Sequence, residues 1–290
     1  MRRGTRPVAA GIVALVLVLT AAACSQLPKI GAGGLLHPGR RLAFAARPAS
    51  CEDAVFAGDG VTLRGWRCGS GARARATIVY LHGVADNRSS GAGVVERYVP
   101  RGFQVVAYDS RAHGQSGGDA CTYGVLEKRD LKKVLDALGG ERLVLIGTSL
   151  GAAVALQAAA DDPRVAAVVA AETFSDLRTV ATERAPFIFT RGSIERAFTI
   201  ASQQGGFNVD AASPLEAASR IKVPVLLIHG DADRKTRPAH SQRVFETLTG
   251  PKRLLLVPGA GHNGSLGDAA VWKEIDRWIA TALHLDPRHS

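Results

Sequence analysis

Two serines in this sequence stand in the pattern Gly-x-Ser-x-Gly, which can present a hydroxyl group for nucleophilic attack. Ser149 lies in GTSLG and Ser116 lies in GQSGG. A serine hydroxyl attacks a carbonyl carbon and forms a covalent acyl intermediate when a neighbouring base removes its proton. Because the chain contains 32 glycines, the pattern alone does not identify a nucleophile. The elements around each serine must decide between them.

Short apolar runs alternate with helical stretches along most of the chain. Near-continuous apolar runs are typical of parallel strands that are covered on both faces. They predict strands at 77–81, 103–108, 143–146, 165–171, 225–228 and 254–257. Helices are predicted at 91–99, 124–138, 150–160, 238–248 and 268–283. This alternation indicates an α/β fold with one doubly wound sheet. Residues 172–220 contain helical pieces without a strand between them, which predicts a short helical lid above the carboxyl ends of the strands.

The surroundings favour Ser149 over Ser116. A serine nucleophile on such a sheet follows a buried strand directly and opens a helix, because this turn exposes the hydroxyl and points helix-terminal N–H groups at the developing charge. Ser149 lies between the apolar run RLVLI and the alanine-rich run AAVALQAAA. Ser116 follows its strand only after a loop and precedes Gly117-Gly118-Asp119, which would break a helix. We predict that Ser149 is the nucleophile; its alternative role is a structural strand-to-helix turn.

With these features the sequence resembles the α/β-hydrolase family, specifically its compact serine hydrolases with a short lid. The resemblance covers roughly residues 51–283. It rests on GTSLG, LHGVADN, DSRAHGQSGG, HGDADRKTRP and PGAGHNG, which occur in the order typical of the family. It implies a mostly parallel eight-stranded sheet with an N-terminal antiparallel hairpin. It also implies a Ser-His-Asp triad that needs no metal and no cofactor.

The resemblance implies particular partners for the serine. In this family the acid follows the penultimate strand and the histidine follows the last one. These places are occupied by Asp233 in HGDADRKTRP and by His262 in PGAGHNG. Asp231 is the alternative acid, although the family spacing His-Gly-x-x-Asp selects Asp233. The backbone N–H groups of Val84 and Leu150 would form the oxyanion hole.

These residues predict a serine hydrolase that cleaves carboxylic esters of a small-molecule or lipid-like acyl substrate. Amide, peptide or thioester cleavage by the same triad stays open, as does a non-catalytic envelope binding protein on the same fold. The lid residues 186–189, PFIF, and Phe198 could line an apolar acyl pocket or pack the lid onto the core. We expect the protein to be a monomer.

The N-terminus has the composition of a secretory signal. Residues 1–6 include three arginines, residues 7–23 are apolar or small, and Cys24 follows three alanines. A retained transmembrane anchor is the alternative, although 17 residues are at the short edge of what spans a bilayer. The alanines resemble the lipobox of bacterial lipoproteins, in which the cysteine is lipidated, with Ala21 where leucine is usual. We therefore expect a signal peptide (1–23), a lipidated tether (24–50) and a hydrolase domain (51–290), exported and anchored in the cell envelope.

Export would place the remaining cysteines in an oxidising compartment. Cys51 and Cys68 bracket two short predicted strands joined by a GDG turn. Pairing Gly58 with Val61 across this turn sets Cys51 opposite Cys68, which predicts a disulfide. Two free thiols are the alternative. Cys121 is then left over, as either a buried or a reactive thiol.

The chain is basic, with a formal net charge of +10 that falls to +7 without the three arginines of residues 1–6. Such a balance suits an anionic membrane surface. The basic residues are scattered, however, and no block of five like charges occurs. We expect no binding to nucleic acid.

Overall fold

The structure is a computed structural model of the 290-residue chain and describes residues 25–69, 74–139 and 142–285. The strands are β1 Cys51–Ala57, β2 Thr62–Cys68, β3 Thr77–Leu81, β4 Gln104–Tyr108, β5 Leu143–Thr148, β6 Val165–Ala171, β7 Val225–Gly230 and β8 Lys252–Val257. The α-helices are α1 (residues 25–36), α2 Ala92–Tyr98, α3 Glu127–Leu138, α4 Leu150–Ala159, α5 Leu177–Arg184, α6 Arg191–Gly205, α7 Pro214–Ala218, α8 Ala239–Thr247 and α9 Ala269–Ala282. Each predicted strand and helix is present, with differences of a few residues at the ends.

The strands form one eight-stranded sheet in the order β1-β2-β4-β3-β5-β6-β7-β8. The pairs β1–β2 and β2–β4 are antiparallel, and the remaining pairs are parallel. Apolar residues of α2 and α9 cover one face, while those of α3, α4 and α8 cover the other. This double cover explains why the central strands read as continuous apolar runs. The predicted fold class, a mostly parallel sheet with an N-terminal antiparallel hairpin, is confirmed.

The hairpin β1–β2 has the register expected from its sequence. Cys51 pairs with Cys68, and the two are joined by a disulfide. The alternative of two free thiols is therefore wrong for this structure. The bond closes a loop with a sequence separation of 17 residues and ties the edge strand to the rest of the sheet.

Loss of this disulfide should destabilise the protein. A cross-link across a loop of this size lowers the conformational entropy of the unfolded chain. It thereby contributes about 3 kcal/mol to the free energy of unfolding. We expect urea unfolding of the double variant Cys51→Ser, Cys68→Ser to have a lower midpoint than the oxidised protein. Adding reductant should lower the midpoint of the parent protein and leave that of the double variant unchanged. Equal midpoints for parent and double variant under oxidising conditions would contradict this expectation.

The segment after Cys24 differs from the predicted tether. Residues 25–36 form helix α1, and its residues Ala32 and Leu36 are buried in one apolar cluster with Phe198 and Phe207 of the lid region. Residues 37–50 have no regular structure but contact the domain, as in the hydrogen bond from Arg40 Nη1 to the Ser116 carbonyl oxygen (2.6 Å). The glycines of GAGG indicated a linker, because glycine weakens an isolated helix. Burial against the lid supplies the stabilisation that local propensity lacks.

The predicted signal peptide and the predicted lipidation site Cys24 lie outside the described residues. Within residues 25–69, 74–139 and 142–285, no helix combines the length and the apolar character needed to cross a bilayer.

Helices α5, α6 and α7 lie between β6 and β7, where the sequence predicted a helical lid. Buried residues of α5 and α6, among them Leu177 and Phe198, pack in one cluster with Ala153 of α4. The carboxyl ends of parallel strands share one edge of the sheet, so the loops after β3, β5, β7 and β8 meet beneath this lid.

Candidate active site

Ser149 occupies a strained turn between β5 and α4. Its backbone φ is 49° and its ψ is −109°, a conformation that a non-glycine residue adopts only when its surroundings impose it. The flanking glycines are required by packing. A Cβ atom on Gly151 would overlap the Leu81 carbonyl, and one on Gly147 would overlap the Gly151 backbone. The spacing Gly-x-Ser-x-Gly therefore permits the close approach of the helix, the turn and β3.

The structure brings Ser149, His262 and Asp233 together from three separate loops. Ser149 Oγ lies 3.1 Å from His262 Nε2, and His262 Nδ1 lies 2.7 Å from Asp233 Oδ2. Asp231, the alternative acid, instead accepts a hydrogen bond from the Gly259 N–H (2.7 Å) and is exposed. The contacts thus select Asp233 over Asp231 as the partner of the histidine.

The carboxylate of Asp233 is held in its charged form. Burial alone would raise its pKa, but hydrogen bonds from His229, His262 and the Thr236 N–H outweigh this effect and lower the pKa well below its ordinary value. Its Oδ1 atom accepts the N–H groups of Lys235 (2.8 Å) and Thr236 (2.9 Å), while its Oδ2 atom lies 2.7 Å from His262 Nδ1 and 3.3 Å from His229 Nε2. A fixed negative charge here orients the imidazole and stabilises its protonated form.

Glu172 is part of the site and was missed by sequence reasoning. It is buried directly after β6 and has a backbone φ of 58°. Its carboxylate accepts hydrogen bonds from the Asn263 N–H, the Ser265 N–H (3.1 Å) and the Ser265 hydroxyl (2.5 Å). It therefore holds the loop that carries His262. The available signal was an acidic residue at the carboxyl end of a predicted buried strand. We interpreted that position only as the start of the lid.

The two carboxylates and the histidine are also close enough to share a metal ion. Ligand atoms of Glu172, Asp233 and His262 lie within 4.8 Å of one another. The carboxylate oxygens of Glu172 and Asp233 already accept hydrogen bonds from protein groups, as described above. The cluster therefore forms a hydrogen-bond network within the protein. In this network Asp233 Oδ2 lies 2.7 Å from His262 Nδ1, and Glu172 Oε2 lies 3.9 Å from the same nitrogen.

Two backbone N–H groups beside Ser149 are available to a ligand. Leu150 is the first residue of α4, and the first N–H groups of a helix have no acceptor within it. Gly83 lies against the serine, since a Cβ atom built on it would be 3.6 Å from Ser149 Cβ, and Val84 follows in the same turn. Among the described residues, neither the Val84 nor the Leu150 N–H has a hydrogen-bond acceptor. Both can therefore donate to a negatively charged oxygen.

The other candidate nucleophiles are enclosed by the protein. The Ser116 hydroxyl donates to the Asp109 carbonyl oxygen (2.5 Å) and accepts the Arg64 N–H (2.9 Å), so it ties a loop to β2. Cys121 is a free, buried thiol whose pKa burial raises well above the ordinary value. A thiol that is both buried and protonated is unreactive, which decides between the two roles left open for it.

An apolar cavity of about 440 Å³ opens beside the Val84 turn. Three parts of the chain enclose it, namely α1 with Pro38, the loops around Val84 and Tyr123, and the lid. Its lining residues from these parts include Gly31, Gly34, Leu35, Pro38, Val84, Tyr123, Leu177, Val180, Phe189 and Phe198. Phe189 and Phe198 thus line the cavity, and Phe198 also packs into the lid cluster, whereas Phe187 is exposed. The lid aromatics therefore both line an apolar cavity and pack within the lid cluster.

A second cavity, of about 420 Å³, lies next to the histidine loop and is more polar. Thr148, Glu172 and Asn263 line it, together with Asp86 and Tyr80. It does not include the Val84 turn, so of these two cavities only the apolar one is lined by Val84.

Comparison with known proteins gives relatives over nearly the whole chain. A family model described as alpha/beta hydrolase fold matches residues 76–198, and one described as TAP-like protein matches residues 204–286. YfhR, an uncharacterized protein of Escherichia coli (strain K12), is 30% identical over 268 residues, covering 88% of each chain. YqkD, an uncharacterized protein of Bacillus subtilis (strain 168), is 30% identical over 196 residues, covering 64% of each chain.

Solved structures with the same fold include two esterases. The Pyrococcus furiosus esterase Pf2001 superposes with a TM-score of 0.65 at 24% identity, covering 86% of this chain and 97% of that one. The acetyl xylan esterase from Paenibacillus sp. R4 superposes with a TM-score of 0.66 at 20% identity, covering 90% of this chain and 93% of that one. At such identities the likeness supports the fold alone. Together with the sequence matches and the eight-stranded sheet, it leads to one conclusion: this chain belongs to the α/β-hydrolase family.

Proposed function

We propose that this protein is a serine hydrolase that cleaves carboxylic esters through an acyl-enzyme intermediate. The observation that carries the proposal is the unbroken line of contacts from Ser149 Oγ through His262 to the charged Asp233. A hydroxyl needs such a base to act as a nucleophile near neutral pH. The assay that tests it is a panel of p-nitrophenyl esters, with the matching p-nitroanilides and thioesters as competitors. Faster turnover of the amides or thioesters than of the esters would reassign the reaction.

Each step of the reaction has a group in place. His262 Nε2 takes the proton of Ser149 as Oγ attacks the carbonyl carbon, and Asp233 stabilises the imidazolium that results. The negative oxygen of the tetrahedral intermediate accepts the N–H groups of Val84 and Leu150. The intermediate then collapses, and the imidazolium gives its proton to the leaving alcohol. A water molecule, activated by the same histidine, finally attacks the acyl-enzyme and releases the acid.

The apolar cavity supports a small-molecule or lipid-like ester as the substrate. Binding pockets for such groups are concave, mostly apolar and next to the polar atoms that fix orientation. Here the cavity begins at Val84, a donor of the oxyanion hole, and extends between the lid and α1. We place the acyl chain of the substrate in this cavity, with its carbonyl group beside Ser149.

Filling the cavity from α1 should shorten the preferred acyl chain. Gly34 lines the cavity, and a Cβ atom on it would meet no atom within 4 Å. We expect Gly34→Phe to lower kcat/KM for p-nitrophenyl decanoate by about tenfold or more while changing that for the acetate little, because only the long chain needs the space. Gly33→Phe is the matched control, since Gly33 is equally open and does not line the cavity. Equal losses on both esters, or the same profile in both variants, would contradict the assignment of the acyl pocket.

We also propose that the protein is exported and held in the cell envelope as a monomeric lipoprotein. The support is the signal-like composition of residues 1–23, the cysteine at position 24 and the Cys51–Cys68 disulfide, a bond that forms in oxidising compartments. Helix α1 begins directly after the proposed lipidation site, so the anchor would join the folded part without a long flexible spacer.

A further inference from the structure

Exposed apolar side chains lie in and near the two chain segments that line the acyl cavity. Among the described residues, seven large apolar side chains are exposed: Ile30, Leu42, Phe44, Val55, Phe187, Ile188 and Leu256. Residues 31–38 and 184–189 contribute to the cavity lining. Ile30 and the lid pair Phe187 and Ile188 lie in or directly beside these segments, and Leu42 and Phe44 follow a few residues after the first segment. Phe187 is 99% exposed. Isolated apolar residues on a surface are ordinary, but a group of this kind marks a contact surface.

The two segments meet each other. A Cβ atom on Gly31 would lie 3.0 Å from the Phe189 ring, so α1 touches the lid loop there. Ile30 precedes this contact on one side, and Phe187 and Ile188 precede it on the other. Farther along, the Asn87 side chain donates to the Leu42 carbonyl oxygen (3.1 Å) and holds this part of the segment near the Val84 turn. We call these five exposed side chains, Ile30, Leu42, Phe44, Phe187 and Ile188, the apolar rim.

The N-terminal segment that carries part of the rim bears only positively charged residues. Residues 25–50 contain Lys29, Arg40, Arg41 and Arg47 and no acidic residue. Lys29 and Arg41 are exposed, whereas Arg47 pairs with Asp53 (3.4 Å). Arg191 begins α6 just after the lid loop and is also exposed. Basic residues interspersed with exposed aromatic and aliphatic side chains match the boundary between anionic headgroups and acyl chains.

The course of the chain points to the same face. The described part begins at residue 25 in α1, next to the rim, and is preceded by the apolar stretch 7–23. Any anchor in residues 1–24 therefore joins the domain beside the cavity mouth rather than at a distant surface.

From these observations we propose that the apolar rim docks onto an anionic phospholipid bilayer, with the mouth of the acyl cavity facing the lipid. An acyl chain could then pass from the membrane into the cavity between α1 and the lid without crossing water. The docking does not depend on catalysis, whereas the delivery of an ester to Ser149 rests on the proposed function.

The test measures which face of the anchored chain contacts lipid. An environment-sensitive nitrobenzoxadiazole label is attached to a cysteine introduced as Phe187→Cys, or as Val55→Cys on the exposed side of β1 as the matched control. The full chain carries Cys24→Ser and Ser149→Ala, so that the introduced cysteine is the accessible thiol and no turnover occurs, since Cys121 is buried and Cys51–Cys68 is bonded. The variants are bound to vesicles of phosphatidylcholine and phosphatidylglycerol.

We expect the label at 187 to brighten several-fold, to shift to shorter wavelength and to be quenched by doxyl-labelled lipid, while the label at 55 responds to none of these. Both chains keep residues 7–23, so attachment to the vesicle is the same for both. No response at 187, or equal responses at 187 and 55, would overturn the proposal. Brightening at 187 without lipid that grows with protein concentration would instead assign the rim to a second copy of the chain.

An activity measurement separates the docking from the chemistry. In the otherwise unaltered chain, the double variant Phe187→Ser, Ile188→Ser should hydrolyse a long-chain ester embedded in vesicles about tenfold more slowly, because less apolar surface enters the lipid. Its turnover of soluble p-nitrophenyl acetate should stay unchanged, as should both activities of Val55→Ser. Failure of the proposed ester hydrolysis would appear as inactivity on both substrates and would leave the label experiment unaffected.

Discussion

Replacing Ser149 with alanine should lower ester hydrolysis by about 10⁶-fold in kcat and abolish labelling by a fluorophosphonate probe. The alanine variant keeps the oxyanion donors, the cavity and the His262–Asp233 pair but has no oxygen that can form the acyl-enzyme. Its Cβ fits the same turn, so the variant should retain the fold, which circular dichroism and the urea midpoint can verify. The measurements are single-turnover kinetics with p-nitrophenyl esters and detection of the covalent adduct by mass spectrometry.

Ser116→Ala is the matched control for this experiment, because Ser116 stands in the second Gly-x-Ser-x-Gly pattern. Its hydroxyl is buried and forms hydrogen bonds with the Asp109 carbonyl oxygen and the Arg64 N–H. It should retain the fluorophosphonate adduct. An adduct that persists in Ser149→Ala, or one that disappears in Ser116→Ala while the fold is intact, would show that the nucleophile has been assigned to the wrong serine.

Asp233→Asn should reduce kcat by about 10⁴-fold with a small change in KM. The asparagine Oδ1 atom can still accept the Lys235 and Thr236 N–H groups, so the geometry of the loop should survive. Its NH₂ group would then face His262 Nδ1, which must act as an acceptor. That tautomer places the proton on Nε2, where the serine needs a base, and the loss of the carboxylate removes the charge that stabilises the imidazolium.

The neighbouring Asp231→Asn tests whether the effect is specific to one carboxylate. Asp231 caps the Gly259 N–H and does not touch the histidine, so its variant should stay within a few-fold of the parent enzyme. A larger loss for Asp231→Asn than for Asp233→Asn would mean that the loop adopts another arrangement during catalysis. Fluorophosphonate labelling rates provide a second readout, since a weakened base slows the attack of Ser149 on the probe as well.

The predicted elements and the proposed nucleophile depended on local signals. The strands were recognisable because burial on both faces leaves an uninterrupted apolar run, and the turn at Ser149 was recognisable because its close packing tolerates only glycine at positions 147 and 151. The disulfide was also predictable from a local signal. Once the hairpin turn is placed, the antiparallel register sets Cys51 opposite Cys68.

Glu172 and helix α1 could not be assigned in the same way. Nothing beside Glu172 in the sequence indicates that its carboxylate reaches the loop of His262, because the two residues are brought together only when β6, β7 and β8 align. Similarly, residues 25–36 looked like a linker because their glycines disfavour a helix locally, and the lid surface that stabilises α1 comes from residues more than 100 positions away.

The sequence by itself therefore determined the order of the elements, the hairpin register and the residue types from which a hydrolase site is built. Only the tertiary structure decided that Glu172 holds the loop of the histidine, what encloses the acyl cavity and where the apolar rim lies. The physical reason is the range of the interactions. Hydrophobic periodicity and turn geometry act between neighbours in the chain, whereas a hydrogen-bonded triad and a cavity arise from contacts between segments that only the packed sheet brings together.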